Sequence, residues 1–575
     1  MVDSLEQVIR KHSLKNALDY GKADAKSVVG RVVAEHPDAK SDMRATMQLI
    51  AAEVERANAL PKEELQKELS AYAFAEKVEA KKERWDLPGV EEGKVVTRFL
   101  PEPNGFLHLG HAKAAFLNAE LARQYGGKLL LRFDDTNPEK EKQEFVEAIK
   151  ADAEWLGLHF DGKETYASDL IPQYYAFAKQ LIAQGDAFVC VCTQEQIKQN
   201  RMEKKECSCR GKSMEENASA WEQMLAGGMN EGDSILRLKG DVQSDNTVMR
   251  DPTLFRILQT QHYRQGAKYK VWPTYDFEVS ISDSLEGVTH ALRSKEYELR
   301  DELYYFILDK LSLRKPFVYD FSRLNIRGNA LSKRLVKPFI EAKQVSGWED
   351  PRLLSLRGMK RRGILPQAIR EFVLGFGLSK VESNPSIEKL LNENQKLLEP
   401  TAEHYFFVSK PVKFLVKNSR EAYVKLPKHP SDAGKGNRVL HAKKEFYLSK
   451  NDTDSIKEGE TFRLIQLYNV KLLKKTPNSL IGEFAGMDLA EEDKRETKKL
   501  QWVPAESAVA GELVCISDLL KGDVFNPKSL VVESGFGEEE CKKLDEGAVV
   551  QFDRIGLARL DDKKKMRFIL SNSLA

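Results

Sequence analysis

Cysteine is scarce in this chain: 6 residues in 575, four of them crowded at positions 190, 192, 207 and 209. So sparse and clustered a set argues against a secreted, disulfide-stapled scaffold and points to a reducing compartment, the cytoplasm. Net charge is equally small, +2 from 90 Lys and Arg against 88 Asp and Glu. A global field for polyanions is therefore lacking, and any nucleic acid must meet a local basic face. No apolar run approaches the ~20 residues of a membrane span, and Met1-Val2-Asp3 is too acidic and polar to open a signal peptide. Neither a solenoid period nor a low-complexity tract occurs. The length exceeds what one core can hold, so roughly three to five domains are expected.

What the chain does have is one stretch, Thr97 to Asn137, around which the rest is organised. It reads T-R-F-L-P-E-P-N-G-F-L-H-L-G-H and, after a run of helix formers from Ala112 to Tyr125, G-G-K-L-L-L-R-F-D-D-T-N. Apolar Val95, Val96, Phe99 and Leu100 predict a strand, Pro101, Pro103 and Gly105 a turn, and Lys128 to Phe133 the next buried strand. Such a β-α-β unit places its loop and helix N-terminus at the carboxyl edge of a parallel sheet, where ligands bind. His108 and His111 would share the first helical turn, beside free backbone N–H groups, with both imidazoles able to donate to a phosphate. Gly110 would keep that face bare for close approach of a nucleotide.

P-E-P-N-G-F-L-H-L-G-H resembles the HIGH signature of the class I aminoacyl-tRNA synthetases. The flanking R-F-L-P-E-P and L-R-F-D-D-T-N are similar to the glutamyl/glutaminyl subgroup, archaeal type, and the likeness runs from about Gly93 onward. Ala330-Leu331-Ser332-Lys333-Arg334 resembles that family's KMSKS loop, with Leu for Met and without the first lysine. The resemblance implies a multidomain α/β + α + β architecture. An N-terminal helical extension (1–87) would precede a Rossmann-type catalytic domain in two halves (88–185 and 269–340). Between the halves would lie an acceptor-stem-binding insert (186–268), and after them a helical domain (341–398) and β-barrel anticodon-binding domains (399–575).

The residues themselves support this division. Met43, Met47, Ile50 and Val54 fall at helical spacing near the N-terminus, and 81–89 reads as a charged linker. No catalytic motif lies in that extension, which is read as a packing or RNA-docking appendage. Beyond Glu399, short apolar runs broken by Pro and Gly predict barrels. Lys471, Lys474, Lys475 and the Lys563-Lys564-Lys565 run are candidates for phosphate contacts. Arg357, Lys360, Arg361 and Arg362 form a cationic turn that either meets phosphate or is merely solvated. Cys190, Cys192, Cys207 and Cys209 make two Cys-x-Cys pairs that fit a structural tetrahedral Zn²⁺ site. Two disulfides or four buried thiols are the plainer alternatives. The segment S-I-S-D-S-L-E-G-V-T-H-A-L-R-S-K-E-Y is read as strand and loop, so crowded with polar groups that it marks a site.

By the resemblance, His108, Gly110, His111, Ser332 and Lys333 would bind ATP, with His108, His111 and Lys333 catalytic. Arg98, Asp134, Tyr275 and Arg293 would line the amino-acid pocket. Arg293 bears most on the choice of substrate, because a guanidinium forks onto a γ-carboxylate and is left poorly paired by a neutral amide. The implied reaction joins L-glutamate to tRNA(Glu), and possibly to tRNA(Gln), through an adenylate, with ATP and Mg²⁺ and generally with tRNA present for activation. A monomer without membrane attachment is expected. A glutaminyl enzyme, a small-molecule nucleotidyltransferase with H-x-G-H, and a non-catalytic RNA-binding protein are the competing readings. Arg293, the long C-terminal half and the intact His108, His111 and Lys333 argue against them in turn.

Overall fold

The computed structural model describes residues 4–20, 23–40, 42–69, 72, 84–488 and 497–573. The chain forms two compact units, Met1–Arg84 and Trp85–Ala575. Helices α1 (Leu5–Tyr20), α2 (Ala25–Glu35), α3 (Met43–Ala59) and α4 (Lys62–Leu69) make the first. Asp24 and Asp42 cap α2 and α3 by accepting from the N–H groups of Ser27 and Ala45. Val8, Leu14, Val28, Val32, Ile50 and Ala57 fill its core. The predicted stripe holds from Met47 inward, whereas Met43 at the start of α3 is exposed. Residues 81–83 of the expected linker lie outside the described residues.

The second unit opens with β1 (Val96–Phe99), α5 (Leu109–Gln124) and β2 (Lys128–Phe133), the predicted β-α-β, with β1 and β2 parallel. Helix α6 (Gln143–Trp155) leads to β3 (Thr165–Tyr166), parallel to β2. Helix α7 (Ile171–Ala183) then leads into an antiparallel sheet, β4 (Ala187–Cys190), β5 (Ile235–Leu238), β6 (Thr253–Ile257) and β7 (Val271–Pro273). Helices α8 (Gln194–Glu203) and α9 (Met214–Leu225) interrupt it between β4 and β5. Asp135 ties this insert to the nucleotide fold by accepting from Ser168 N–H and Oγ–H at 2.8 Å and from the Tyr263 hydroxyl at 3.0 Å.

After β7 come α10 (Tyr275–Leu285), β8 (His290–Ser294), α11 (Asp301–Leu311) and β9 (Phe317–Phe321), with β8 and β9 parallel. Of the segment from Ser280 to Tyr297, expected as strand and loop, His290–Ser294 is the strand β8, whereas Ser280–Leu285 is the end of α10. Residues Phe277 to Ser284 are all buried, so no amphipathic period marks the helix, and Ser280 satisfies its hydroxyl on the carbonyls of Asp276 and Phe277. Strand β8 lies beside β1: Thr289 N–H meets Val96 O at 2.9 Å near their starts, and Arg98 Nη1 donates to Leu292 O near their ends. The strand order is therefore β3-β2-β1-β8-β9. Its direction of winding reverses between β1 and β8, where such sheets open a ligand crevice at their carboxyl ends.

Helices α12 (Lys333–Glu341), α13 (Leu356–Arg362), α14 (Pro366–Leu374) and α15 (Glu388–Leu398) carry the chain to two seven-stranded, barrel-like sheets. One includes Pro411–Lys417, Asn469–Lys475 and Ser479–Phe484; the other includes Glu403–Tyr405, Val549–Phe552 and Arg567–Ser573. Interleaving explains why the two barrels pack as one block: Phe406 joins the first core and Phe407 the second. The cationic segment at 357–362 is neither a turn nor a solvated run. It is α13, with Arg361 bonded to both carboxylate oxygens of Asp561 at 2.8 and 2.7 Å, and Arg357 stacked 4.3 Å over the Phe106 ring. Arg361 thus holds the second barrel and Arg357 the loop before α5, both half-buried, while Lys360 stays exposed to solvent.

Candidate active site

The two histidines build the start of α5 themselves. His108 is the N-cap, in extended conformation, and its Nδ1 accepts from Gly110 N–H at 3.0 Å. His111 Nδ1 accepts from His108 N–H at 3.1 Å, so the pair forms a reciprocal capping box. An imidazole nitrogen that accepts carries no proton, which leaves both rings neutral with the hydrogen on Nε2. Burial drives His111 down to about 4. Burial, His111 and Arg323 together push His108 well below its ordinary value. The rings lie 3.8 Å apart, which two imidazolium ions would not tolerate. Gly110 has a further reason to be glycine: a Cβ there would stand 2.9 Å from His108 Cε1, inside the capping ring. The loop is clamped from the other side by Leu109 N–H to Leu354 O and Leu356 N–H to Leu107 O.

Lys333 opens α12, and its ammonium donates to the carbonyl of Asn104, in the loop that leads to His108. The same ammonium lies 5.5 Å from the Phe145 ring centre. Ser332 occupies the N-cap position with its hydroxyl making no cap bond. Partial burial, offset by Glu102 and reinforced by Lys337, Lys140 and Lys142, lowers the Lys333 pKa. The lysine loop and the histidine loop, more than 200 residues apart in sequence, thus share one mouth.

At the ends of β1 and β8 lies a second group of predicted residues. Arg98 gives Nε and Nη2 to Asp283 at 2.9 and 3.1 Å and Nη1 to Leu292 O at 3.1 Å. Three of its five N–H donors are thereby spent on the protein. Arg293 differs. Only 4% exposed, it gives Nη1 to Asp301 Oδ1 at 3.2 Å, while Nε and Nη2 have no partner among the described residues. The rings of Tyr297, Tyr304 and Tyr275 stand 5.1, 5.6 and 5.9 Å from its guanidinium. A buried guanidinium with two idle nitrogens on one edge, walled by aromatics, has the donor set that a planar anion would satisfy.

Asp134 sits where β2 ends, its N–H bonded to Pro101 O at 3.2 Å. Burial and nearby Glu102 raise its carboxyl to about 6. Glu278 faces it, fully buried, and apart from the Asp134 carboxyl neither of its oxygens finds a hydrogen-bond partner among the described residues. Burial and Asp134 hold Glu278 well above the carboxylate range, so the pair shares a proton. Glu102 acts on Asp134, Tyr297 and Lys333 alike, linking the Asp134 end of the crevice to the Lys333 end. Tyr297, Tyr304, Glu278, Asp283 and Arg132 were not assigned a role from the sequence. The crowding of polar residues from Ser280 to Tyr297 was a signal for Asp283 and Tyr297 alone.

The four cysteine sulfurs lie within 4.8 Å of one another, with Cys190 and Cys207, and Cys192 and Cys209, each 3.9 Å apart. A tetrahedron with metal–sulfur bonds of about 2.3 Å has edges of about 3.8 Å. Arg237 Nη1 lies 3.8 Å from both Cys190 and Cys207 Sγ, a cation placed against developing thiolates. The set is compatible with a closed metal site and holds no disulfide.

A parallel sheet with a crevice at its winding reversal, furnished with helix-capping histidines and a lysine loop, defines a nucleotide-binding α/β catalytic domain, here followed by two barrel-like domains. Residues 94–400 match the family described as tRNA synthetases class I (E and Q), catalytic domain. Residues 402–486 and 499–561 each match tRNA synthetases class I (E and Q), anti-codon binding domain. The chain belongs to the class I (E and Q) tRNA synthetases. It is 40% identical to the glutamate–tRNA ligase of Nitrosopumilus maritimus, over 99% of this chain and 100% of that protein. Similar proteins of that name occur in Korarchaeum cryptofilum, 37% identical over 99% and 100%, and in Pyrococcus furiosus, 35% identical over 97% of each. Among the described residues no helix is long and apolar enough to cross a membrane.

The capping geometry has a spectroscopic consequence. Nitrogen-15 NMR of selectively labelled protein is expected to show His108 and His111 as neutral Nε2–H tautomers from pH 8 down to pH 5. An imidazolium at either position at pH 6 would contradict the reciprocal cap.

Proposed function

We propose that the protein ligates L-glutamate to tRNA(Glu), consuming ATP and releasing AMP and pyrophosphate, as a cytoplasmic monomer. The observation that carries the choice of amino acid is Arg293, buried with two idle donors in a box of tyrosines. A γ-carboxylate fills both donors. The amide of glutamine offers one acceptor and turns an N–H toward a guanidinium, which supports discrimination on the order of 10⁴. Asp134 takes the substrate ammonium, Tyr275 walls the pocket, and Arg98 keeps two N–H donors for the substrate while Asp283 and the Leu292 carbonyl anchor the rest.

In the first half-reaction the α-carboxylate of glutamate attacks the α-phosphate of ATP, giving glutamyl-adenylate and pyrophosphate. His108 and His111 contribute neutral Nε2–H donors at the helix N-terminus, beside the bare backbone at Gly110. Lys333 brings its positive charge to the pyrophosphate side once it leaves the Asn104 carbonyl, with Ser332 beside it. No protein nucleophile is needed, since positioning and charge stabilisation suffice. In the second half-reaction a ribose hydroxyl of the tRNA takes the glutamyl group, and the adenylate phosphate accepts its proton. Mg²⁺ bound with ATP would neutralise phosphate charge. The insert would receive the acceptor stem and the barrels the anticodon, within the domain boundaries expected from the sequence, and whether tRNA(Gln) is also charged depends on the barrels. Cys190, Cys192, Cys207 and Cys209 would hold a structural Zn²⁺ that fixes the edge of the insert; no histidine or open position gives it a catalytic part.

One charging experiment with glutamate and glutamine against both cognate tRNAs separates this reading from its competitors. Glutamate is expected on tRNA(Glu), and Arg293→Ala is expected to erase the preference for glutamate over glutamine; an unchanged preference would refute the assignment of Arg293. In pyrophosphate exchange with tRNA present, His108→Ala is expected to slow activation by about 10²–10³, and exchange surviving His108→Ala with Lys333→Ala would remove both from the mechanism. Metal analysis of protein purified without chelator is expected to find one zinc per chain, lost on Cys207→Ser with Cys209→Ser. Zinc-free protein would overturn that site.

A further inference from the structure

Strand β2 and its register with β3 end at Phe133, so Asp134 and Asp135 lie beyond the ladder. On one side Asp134 is tied by its N–H to Pro101 O. The tie on the other side comes from the insert, 127 residues further along the chain. There the loop between β6 and β7 turns on itself at His262 and Gly266, which exchange backbone bonds of 3.0 and 2.8 Å. His262 is 2% exposed, and its Nε2 lies 3.0 Å from the carbonyl oxygen of Asp135. Its Nδ1 accepts from the N–H groups of Arg264 and Gln265 at 3.2 and 3.0 Å, so Nδ1 carries no proton and Nε2–H is the donor. Beside it the Tyr263 hydroxyl donates to Asp135 Oδ2 at 3.0 Å. The His262 ring rests 5.0 Å from Trp272, and Arg264 stacks 3.6 Å over Tyr166 and forks onto Asp169 at 3.1 and 3.0 Å. Both flanks of the loop are thereby pinned.

We infer that His262 and Tyr263 are positioning residues for the ammonium end of the amino-acid pocket: they lock Asp135 and, through the peptide bond it shares with Asp134, set the direction of the Asp134 carboxylate. The inference rests on Asp134 as the receptor of the substrate ammonium. Asp134 N–H and Asp135 C=O bracket the pair, and both are bonded. Neither residue can rotate without stripping a buried backbone group of its partner, which costs the desolvation of that group. Both His262 and Tyr263 act through Asp135 and not on the substrate.

A charged His262 paired with carboxylates is the competing account, and the distances oppose it. Glu141 Oε2 and Asp135 Oδ2 lie 3.6 and 3.7 Å from Nε2, too far for hydrogen bonds. Two backbone donors on Nδ1 leave no room for a second ring proton. The clamp is also confined to one end of the pocket. Arg293 hangs on β8 and is held by Asp301 of α11, and it shares none of the contacts around Asp135. Loss of the clamp therefore weakens the grip on an ammonium and leaves the grip on a γ-carboxylate.

The test is pyrophosphate exchange by the full-length protein with tRNA(Glu). It yields KM for L-glutamate, KM for ATP, and Ki for glutarate, which keeps both carboxylates and lacks the ammonium. His262→Leu is expected to raise KM for glutamate about tenfold, the scale of one lost buried hydrogen bond, while Ki for glutarate and KM for ATP stay level. His262→Gln, whose amide N–H reaches the same carbonyl, is expected to restore KM. Tyr263→Phe removes a single hydroxyl, is expected to raise KM about threefold, and decides the matter if His262→Leu does not fold. Equal losses for glutamate and glutarate in a folded variant, or an unchanged KM for glutamate in every folded variant, overturn the inference. If the wild type holds no glutarate, the Asp134→Asn background gives the comparison. There His262→Leu is expected to add nothing, and a further full loss of affinity marks a general packing role and overturns the inference. Asp134→Asn alone separates the two failures. If it leaves KM for glutamate unchanged, the reading of Asp134 falls. If it raises KM while the His262 and Tyr263 variants behave as wild type, only the clamp falls.

Discussion

One buried carboxylate holds the catalytic domain in register. Asp283, with no exposed surface, accepts from Arg98 at two positions, from Arg132 at 2.6 Å and from the Tyr304 hydroxyl at 3.1 Å. Burial alone would raise its pKa, but the Arg98 and Arg132 charges outweigh it and keep the group below its ordinary value. Strands β1 and β2 and helices α10 and α11 thus meet on one side chain. Such a hub is conditionally stable: intact, its charges offset their desolvation, whereas loss of one partner leaves buried charge and typically costs about 3–5 kcal/mol. The fold can then afford a pocket in which Arg293 is left with unpaired donors, because the neighbouring arginines are already satisfied.

The phosphate end of the crevice is tied to the distant barrel by ordinary packing. Ala330 and Val336, which bracket Lys333, share a core with Val345, Leu353 and Leu519, and Phe525 stacks within 5.6 Å of Phe339. Leu519 precedes and Phe525 ends a short hairpin at 520–525, between two strands of the C-terminal sheet. Leu520 N–H bonds to Gly328 O at 2.9 Å, and Gly328, at φ +72°, lies where a Cβ would strike Asp518 at 2.5 Å. The lysine loop therefore rests on the barrel and not on the nucleotide fold alone. Through this core the barrel is packed against the segment that carries Lys333.

The parts of this architecture that sequence revealed are those set by local rules. Strand, Pro-rich turn and helix from Val96 to Gln124 follow from periodicity and punctuation, and the barrels follow from short runs broken by Pro and Gly. The four cysteines converge as their spacing suggested. Residues whose meaning lies in a distant partner stayed hidden. Asp283 looked like one polar residue among many, because Arg98 lies 185 positions away. Arg361 and Arg362 read as part of a cationic turn, for phosphate or for solvent, because Asp561 and Ser571 are about 200 residues further on. Helix α10 was missed for a different reason: buried on every side, it has no polar face to give it a period.

Charge placement across the crevice bears on how it would accelerate the reaction. The two histidines are neutral, Arg98 is largely matched by Asp283, and Lys333 is held on a backbone carbonyl. A triphosphate entering this site meets donors and dipoles, but little fixed positive charge. Tight binding of ATP as such would deepen the ground state without lowering the barrier to attack. A lysine on a loop that must exchange the Asn104 carbonyl for phosphate adds its charge selectively as the leaving group becomes more anionic. At the other end the logic is reversed: Arg293 is desolvated and already aimed by Asp301, as the proposed function requires of a group that would distinguish a carboxylate from an amide before chemistry begins.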